Sequence, residues 1–377
     1  MKKTLQSDEP FGAGIASWNL VEMKKLGIGI IGSGSIAQTC HMPGYASMPD
    51  KCEIVAVCDA DPATAQRAAE MFGVANVFTD YNALLAMPEI DAVSVATPNA
   101  FHKQPTIDAL NAGKHVLCEK PMAMNAAECR EMVAAEKQSG KVLQIALQWR
   151  FGGAVKFMKE FIDKGHMGEI YYARAMALRR RGVPGWGVFI DKEKQGGGPL
   201  IDIGVHILDL TLHLMGDPKP VSASGMTYQK MGRDPKYFNP WGEYDRDKFT
   251  VEDFAVGFIR FDNGATITLE SSFMSNIERE FFGCHLFGTE AGALLDLFSG
   301  KPVTIYNEVD KQLFDMVPQN IPAVKSMHTD EVVAFVDAIM EGKASPVSGQ
   351  HGMALNAIFD ALYKSADTGR EEPVVMA

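Results

Sequence analysis

Leu26-Gly-Ile-Gly-Ile-Ile31 followed at once by Gly32-Ser-Gly34-Ser35-Ile36-Ala37 is the stretch that decides the fold. The first six residues form a short apolar run, too brief for a helix and suited to a buried strand. The next six have the G-x-G-x-x-A pattern. Gly32 permits a tight turn, Gly34 lets backbone approach a pyrophosphate, and Ala37 lets a helix pack closely on the strand. The helix that follows aims its positive end at phosphates, so Ser35 and Ile36 fall within the same cradle. A Gly-rich strand–helix turn can mimic this pattern, so the reading depends on what comes next.

What comes next is a regular alternation. Residues 53–58 are a second buried-type strand, and Asp59 stands at its tip. An acidic residue there is placed to grip the ribose 2′-hydroxyl of a dinucleotide. It would repel the 2′-phosphate of NADP, and no Arg follows at Ala60 or Asp61, so the expected cofactor is NAD rather than NADP. Asp61, just before Pro62, reads instead as a helix cap. Helices are expected over 62–72, 81–86, 106–112 and 128–139, and strands over 77–78, 91–96, 115–118 and 142–147. Strands alternating with helices make a doubly wound parallel sheet, with ligands at the carboxyl ends of its strands. Thr97, Pro98, Asn99, Glu119, Lys120, Gln148 and Arg150 all lie at those ends.

A second chemical stretch spans residues 196–213, Gly-Gly-Gly-Pro-Leu-Ile-Asp202-Ile-Gly-Val-His206-Ile-Leu-Asp209-Leu-Thr-Leu-His213. On a helix, Asp202 and His206 project from one face. A carboxylate beside an imidazole can handle protons, and glycines let a flat ligand approach the backbone. The plainer alternative is a helix start with Asp202 in its first turn and His206 in a satisfied polar niche. Asp209 and His213 read as structural. A metal reading of His206, Asp209 and His213 finds no further ligand cluster elsewhere, so no metal is expected.

The second half reads as α+β with a large sheet. A helix is expected over 154–164. Residues 169–181 read as a strand, with Tyr172, Arg174, Met176, Leu178 and Arg180 on one face and Ala173, Ala175 and Ala177 on the other. The alanine face should pack closely on a helix. Arg179, Arg181 and Trp186 are candidate substrate contacts at a loop over 182–189, as is Arg150; a solvated strand end with a core-anchoring Trp is the plainer reading. Residues 228–250 form a long polar and aromatic loop, and loops of that length are usually functional or reach a partner. Segments 252–261 and 265–273 flank an Asp-Asn-Gly turn, and 280–287 and 294–298 flank a second turn. A broad apolar sheet face needs cover, so a homo-oligomer, dimer or tetramer, is expected through this sheet. Residues 329–341 and 351–367 read as amphipathic helices.

Composition excludes other classes. The net charge of −11 opposes nucleic-acid binding, which needs clustered Lys and Arg. The six cysteines are scattered without a Cys-x-x-Cys pair, which suits free thiols in a reducing cytoplasm. No apolar run approaches a membrane span of roughly 20 residues. Residues 1–25 lack an apolar signal segment and read as a leader or arm, with Phe11, Ile15, Trp18 and Leu20 as its anchors.

Four motifs in order, Gly32-x-Gly34-x-x-Ala37, Ala96-Thr97-Pro98-Asn99 with His102, Glu119-Lys120-Pro121, and Gly197-Gly-Pro-Leu-Ile-Asp202-Ile-Gly-Val-His206, resemble the glucose–fructose oxidoreductase / inositol dehydrogenase / MocA family. The resemblance runs from residue 26 to the C-terminus. It implies an NAD-binding Rossmann domain over 26–150, joined by the helix at 351–367, and a substrate and oligomerisation domain over 151–350 with an open, mostly antiparallel sheet. It implies oxidation or reduction of sugars and polyols. By position, Lys120 matches the family's catalytic lysine, Asp202 its substrate-positioning aspartate and His206 its catalytic histidine. Asn99 and His102 fall where relatives touch the nicotinamide half, and Lys120-Pro121 where the family commonly has a cis peptide. The same residues suit two other expectations. One is redox-neutral glycoside cleavage, with C3 oxidation, elimination, water addition and re-reduction. The other is a non-catalytic sugar or dinucleotide sensor, which the joint presence of Lys120, Asp202 and His206 opposes.

Overall fold

The structure, a computed structural model, describes residues 24–376. Of the expected leader, only Lys24 and Lys25 are among them; Phe11, Ile15, Trp18 and Leu20 lie outside the described residues.

The first sheet has six strands: β1 (Leu26–Ile31), β2 (Cys52–Cys58), β3 (Asn76–Phe78), β4 (Ala92–Val95), β5 (His115–Cys118) and β6 (Leu143–Ile145). Their order is β3-β2-β1-β4-β5-β6, with every pair parallel. The order reverses beside β1, so a crevice opens between the tips of β1 and β4, where such folds hold ligands. The connecting helices obey their local signals. Asp61 caps Pro62–Phe72 by accepting the N–H groups of Ala63 and Thr64, and Gly73 ends that helix at φ 69°. Asn125 caps Ala126–Ser139, and Gly140 ends it at φ 63°. The expected regular helix after Ala37 is instead wound wide, as a π-turn over Ala37–His41 ahead of Met42–Ala46. Such turns redirect a side chain within a helix, and here His41 is buried toward the crevice.

The second sheet has nine strands: β7 (Ile170–Leu178), β8 (Pro220–Tyr228), β9 (Phe254–Phe261), β10 (Thr266–Ser272), β11 (Phe281–Gly288), β12 (Ala291–Asp296), β13 (Val303–Val309), β14 (Gln312–Met316) and β15 (Glu372–Pro373). The order is β14-β13-β12-β11-β7-β10-β9-β8-β15. β7 and β10 run parallel; the other pairs are antiparallel. One face packs on the helix Gly204–Leu214. The alanines Ala173, Ala175 and Ala177 are fully buried there, as their small size requires for close approach. The opposite face is knit by cross-strand pairs, Tyr172 on Phe287 with centroids 5.0 Å apart and Arg174 to Glu270 at 2.7 Å. It leaves Met226, Tyr228, Val256, Phe287 and Tyr306 exposed.

Two late helices join the halves. Met327–Met340 lies on the first domain, where Val332 fills the space beside Gly44 and Gln144 donates to the Glu331 carbonyl. Gly349–Thr368 touches both sheets' surroundings. Its Asn356 donates to the Ala123 carbonyl and its Asp360 accepts the Ala126 N–H. On its other side Ser365 accepts the Gly225 N–H, and Leu362 occupies the room left by Gly225 and Gly257 on β8 and β9. The helix thus contacts the Rossmann side and covers the second sheet as well.

Candidate functional site

The Gly-rich turn sits at the tip of β1. Gly32 has φ +83°, and a Cβ there would meet Ala96 and Thr97 backbone at 2.7 Å, so both conformation and space require glycine. Gly34 faces open room, with no atom within 4 Å of where a Cβ would sit. That leaves a cradle which fits a pyrophosphate, with Ser35 and Ile36 in the first turn of the helix beyond it. Ala37 is fully buried against the sheet. Asp59, at the tip of β2, accepts the Ser33 N–H on Oδ2 at 2.9 Å and the Asp61 N–H on Oδ1 at 3.0 Å. The carboxylate is thereby fixed at the mouth of the turn.

At the tip of β4, the Thr97 hydroxyl donates to the Phe101 carbonyl and Pro98 leads, in extended conformation, into a short turn over Asn99–Phe101. Asn99 donates to the Gln195 carbonyl at 2.9 Å, tying this tip to the second half of the chain. His102 corrects an expectation. Its ring is wholly buried, with Nδ1 2.8 Å from the Pro121 carbonyl oxygen and Nε2 2.7 Å from that of Thr97. Both nitrogens face protein backbone, so His102 fastens the β4 loop to the β5 loop rather than touching a nicotinamide. The Lys120–Pro121 peptide just before the Pro121 carbonyl is cis.

At the tip of β5, Glu119 is buried and ionised. Burial pushes its carboxyl upward, but His41 and Lys120 outweigh burial and hold it below the usual range. His41 Nε2 donates to Glu119 Oε1 at 2.9 Å, and His41 Nδ1 lies 3.0 Å from Ser94 Oγ, which is 2.8 Å from the Tyr45 hydroxyl. The second Glu119 oxygen accepts the Lys120 N–H at 3.0 Å. His41, Ser94 and Tyr45 carried no signal in sequence, because their partner lies on another strand. Lys120 Nζ donates to Asp202 Oδ1 at 2.9 Å and to the Asp202 carbonyl at 3.1 Å.

Asp202 and His206 do not share one helix as expected. A short helix, Pro199–Asp202, ends at Ile203, and a new one runs over Gly204–Leu214. Both side chains nevertheless line the same cavity of about 310 Å³, together with Lys120, Gln148, Arg179 and Trp186. His206 Nδ1 is buried without a partner, and its ring makes no hydrogen bond among the described residues. Burial, and then the charges of Lys120, His328 and Arg179, push its pKa well below the ordinary imidazole value. His206 is thereby held in its neutral form.

The glycines before Asp202 do not line a ligand. A Cβ on Gly197 would lie 1.9 Å from the Tyr363 hydroxyl oxygen, and one on Gly198 2.2 Å from the Glu252 carbonyl oxygen. They let this turn press against β9's approach and the last long helix. Arg150 is likewise corrected. Its guanidinium is 6% exposed and binds the Asp209 carboxylate through Nε and Nη2, at 2.9 and 2.6 Å. It holds the helix Gly204–Leu214 in place through Asp209 and is not among the cavity residues. Arg181 donates to the Ser275 carbonyl and Asn276 Oδ1 and is not among the cavity residues. Arg179 and Trp186 are.

The long segment 228–250 builds the remaining wall. Asp253 Oδ2 accepts three successive N–H groups, of Lys230, Met231 and Gly232, at 2.6–2.8 Å. Asn239 clamps Val183, accepting its N–H and donating to its carbonyl. The two loops thus act as one, and Trp241 enters the cavity wall stacked on Trp186, centroids 5.8 Å apart. Sequence reading marked the aromatics of this segment without placing any at the site. Among the described residues no group of three or more His, Cys, Asp or Glu side chains is arranged to hold a metal ion, and no helix is long and apolar enough to cross a membrane.

Comparison with known proteins identifies the family. Residues 26–147 match the family model described as an oxidoreductase family with an NAD-binding Rossmann fold, and residues 155–294 match the C-terminal domain of the same GFO/IDH/MocA family. The chain is 39% identical over 345 residues to the D-glucoside 3-dehydrogenase of Escherichia coli (strain K12), covering 91% of this chain and 96% of that one. It is 28% identical over 382 residues to the levoglucosan dehydrogenase of Pseudarthrobacter phenanthrenivorans, covering 91% and 97%. Among solved structures, a levoglucosan dehydrogenase in complex with NADH and levoglucosan superposes with a TM-score of 0.81 at 25% identity, covering 93% of this chain and all of that one.

Proposed function

The chain belongs to the glucose–fructose oxidoreductase / inositol dehydrogenase / MocA oxidoreductase family, and from that premise we propose that it oxidises a ring hydroxyl of a D-glucoside, at C3, with NAD as the hydride acceptor. The nicotinamide, when bound, supplies the electrophilic carbon that takes the hydride. The observation that carries the reading is the meeting of Lys120, Asp202 and His206 in one cavity, within a chain similar along nine-tenths of its length to a D-glucoside 3-dehydrogenase.

Each group has a task that its surroundings support. His206 takes the hydroxyl proton; its imidazole is neutral and unpartnered. Lys120 donates to the same oxygen and stabilises the charge that develops as the proton leaves. Asp202 orients Lys120 and offers its carboxylate to a neighbouring sugar hydroxyl. Glu119, held by His41, fixes the backbone of Lys120 and so aims its side chain. Gly32, Gly34, Ser35 and Ile36 hold the pyrophosphate, and Thr97, Pro98 and Asn99 line the path toward the nicotinamide. Asp59 favours NAD over NADP, because a fixed carboxylate at the tip of β2 repels a 2′-phosphate. The cofactor half is placed in 26–150 and the substrate half in 151–350, braced by Gly349–Thr368.

The exposed apolar residues on the open face of the second sheet support a homo-oligomer formed across that face, which light scattering tests directly. For the reaction, methyl D-glucoside and NAD are incubated with the enzyme, following NADH absorbance and products by chromatography together. The expected result is stoichiometric NADH and a 3-keto-glucoside. Glycoside cleavage without NADH accumulation would replace this reading with the redox-neutral cycle, in which His206 would also remove the C2 proton.

A further inference from the structure

We infer that the cavity is built for glycosides whose aglycone is a flat aromatic ring, with an aglycone subsite formed by Trp186, Trp241 and Phe298. The inference rests on the glycoside-oxidising reading above and names its substrate class.

The polar side chains of the cavity are Lys120, Gln148, Arg179, Asp202 and His206. Much of the rest of the lining is aromatic, in two separate stacks. In the first, the Arg179 guanidinium lies 4.3 Å over the Trp241 ring, Trp241 stacks on Trp186 at 5.8 Å and 23°, and Phe189 meets Trp186 edge-on at 6.3 Å. In the second, Trp149 packs on Phe282 at 4.6 Å, and Phe282 stacks on Phe298 at 5.6 Å and 27°. The second stack is anchored by buried Phe282 and ends on Phe298, 56% exposed; in the first, Trp186 is 56% exposed and Trp241 38%.

A pyranose needs one aromatic face, because only one or two of its C–H patches can lie on a ring. Two stacks with open ends exceed that need. Large exposed aromatics gathered at a cleft mark a ligand surface rather than ordinary solvent-facing residues. Aromatic partners gain beyond their buried area from offset or edge-on packing. Trp241 carries both a guanidinium and the Trp186 ring, and a further flat ring on the exposed Trp186 extends that packing. Rigidity favours the same use: Asn239 locks the 182–189 loop to the 228–250 segment, so the two tryptophans are held in register before any ligand arrives.

The test compares methyl and phenyl D-glucopyranosides, each anomer separately, by NADH formation with the full-length protein, and by quenching of tryptophan fluorescence. The wild type should prefer the better phenyl glucoside by about tenfold in kcat/KM. That phenyl-to-methyl ratio should fall to about one in Trp186→Ala, and in Trp241→Leu should the first variant fold poorly. A wild-type ratio of one or less overturns the inference and leaves the glucoside-oxidising reading intact, as does a preference that survives in both variants. Saturable quenching by phenyl but not methyl glucoside, without NADH, upholds the aglycone subsite and sinks the redox reading. Neither quenching nor NADH with any of the glucosides overturns both.

Discussion

The two sides of the cleft are made differently. One side consists of strand tips from the first sheet: the Gly-rich turn, Asp59, Asn99, Glu119 and Lys120 each follow a parallel strand directly. Their places are set by sheet order: Asp59 is bonded to nearby backbone, and Asn99 and Lys120 reach across to Gln195 and Asp202. The other side consists of a broken helix start and two loops from distant parts of the chain. It is held by side-chain clamps, Asn239 on Val183, Asp253 on three backbone N–H groups and Arg150 on Asp209. Topology places the first side; long-range polar contacts place the second.

If that division is right, the largest loss comes where the sides meet. His206→Ala should lower kcat by about 10²- to 10⁴-fold, and Lys120→Ala by about 10²- to 10³-fold, with the Kd for NAD moved far less. An unchanged kcat in either variant would break the division at its junction. Arg150→Leu should act on the loop-and-helix side as a brace. Removing one partner of a buried pair costs about 3–5 kcal/mol of stability, read from a denaturant midpoint. A raised KM for the sugar at undiminished stability would instead return Arg150 to the substrate. Asp59→Ala should touch the strand-tip side alone, raising the KM for NAD about tenfold and narrowing the preference over NADP. The smallest effect is in pH. Because burial and neighbouring charges depress the His206 pKa, the neutral base survives as pH falls, and the acid limb of kcat/KM for oxidation should lie below 6.5. A limb at or above that value contradicts the assignment.

The same division explains what could be read from the chain alone. The first sheet was legible because each strand, cap and turn carries its own local signal, such as Asp61 before Pro62 and Gly73 after Phe72. Asp59 and Asp61 could even be told apart by position. Motif resemblance named Lys120 and Asp202 separately; that their side chains meet at 2.9 Å could not be read from positions 82 residues apart. Arg150 was misread because its partner is 59 residues away. Gly197 and Gly198 were misread because a missing Cβ looks the same whether a sugar or Tyr363 fills the space. His102 was expected at the cofactor because the resemblance placed it there; sequence does not show which carbonyls surround its ring. The loop 228–250 announced its aromatics but not that Asn239 would carry Trp241 to the cleft.

The helix Gly349–Thr368 has one more implication, which concerns synthesis rather than catalysis. It follows in the chain nearly everything it packs against, from Ala123 and Ala126 to Gly225 and Gly257. While the ribosome is still translating the middle of the gene, the glycine-floored trough on β8 and β9 and the back of Ala126–Ser139 have no cover. Both halves therefore complete their packing late and together. An interruption of translation, or a proteolytic cut ahead of residue 349, leaves a nascent chain with two sticky surfaces at once, the kind that chaperones hold and that aggregates recruit.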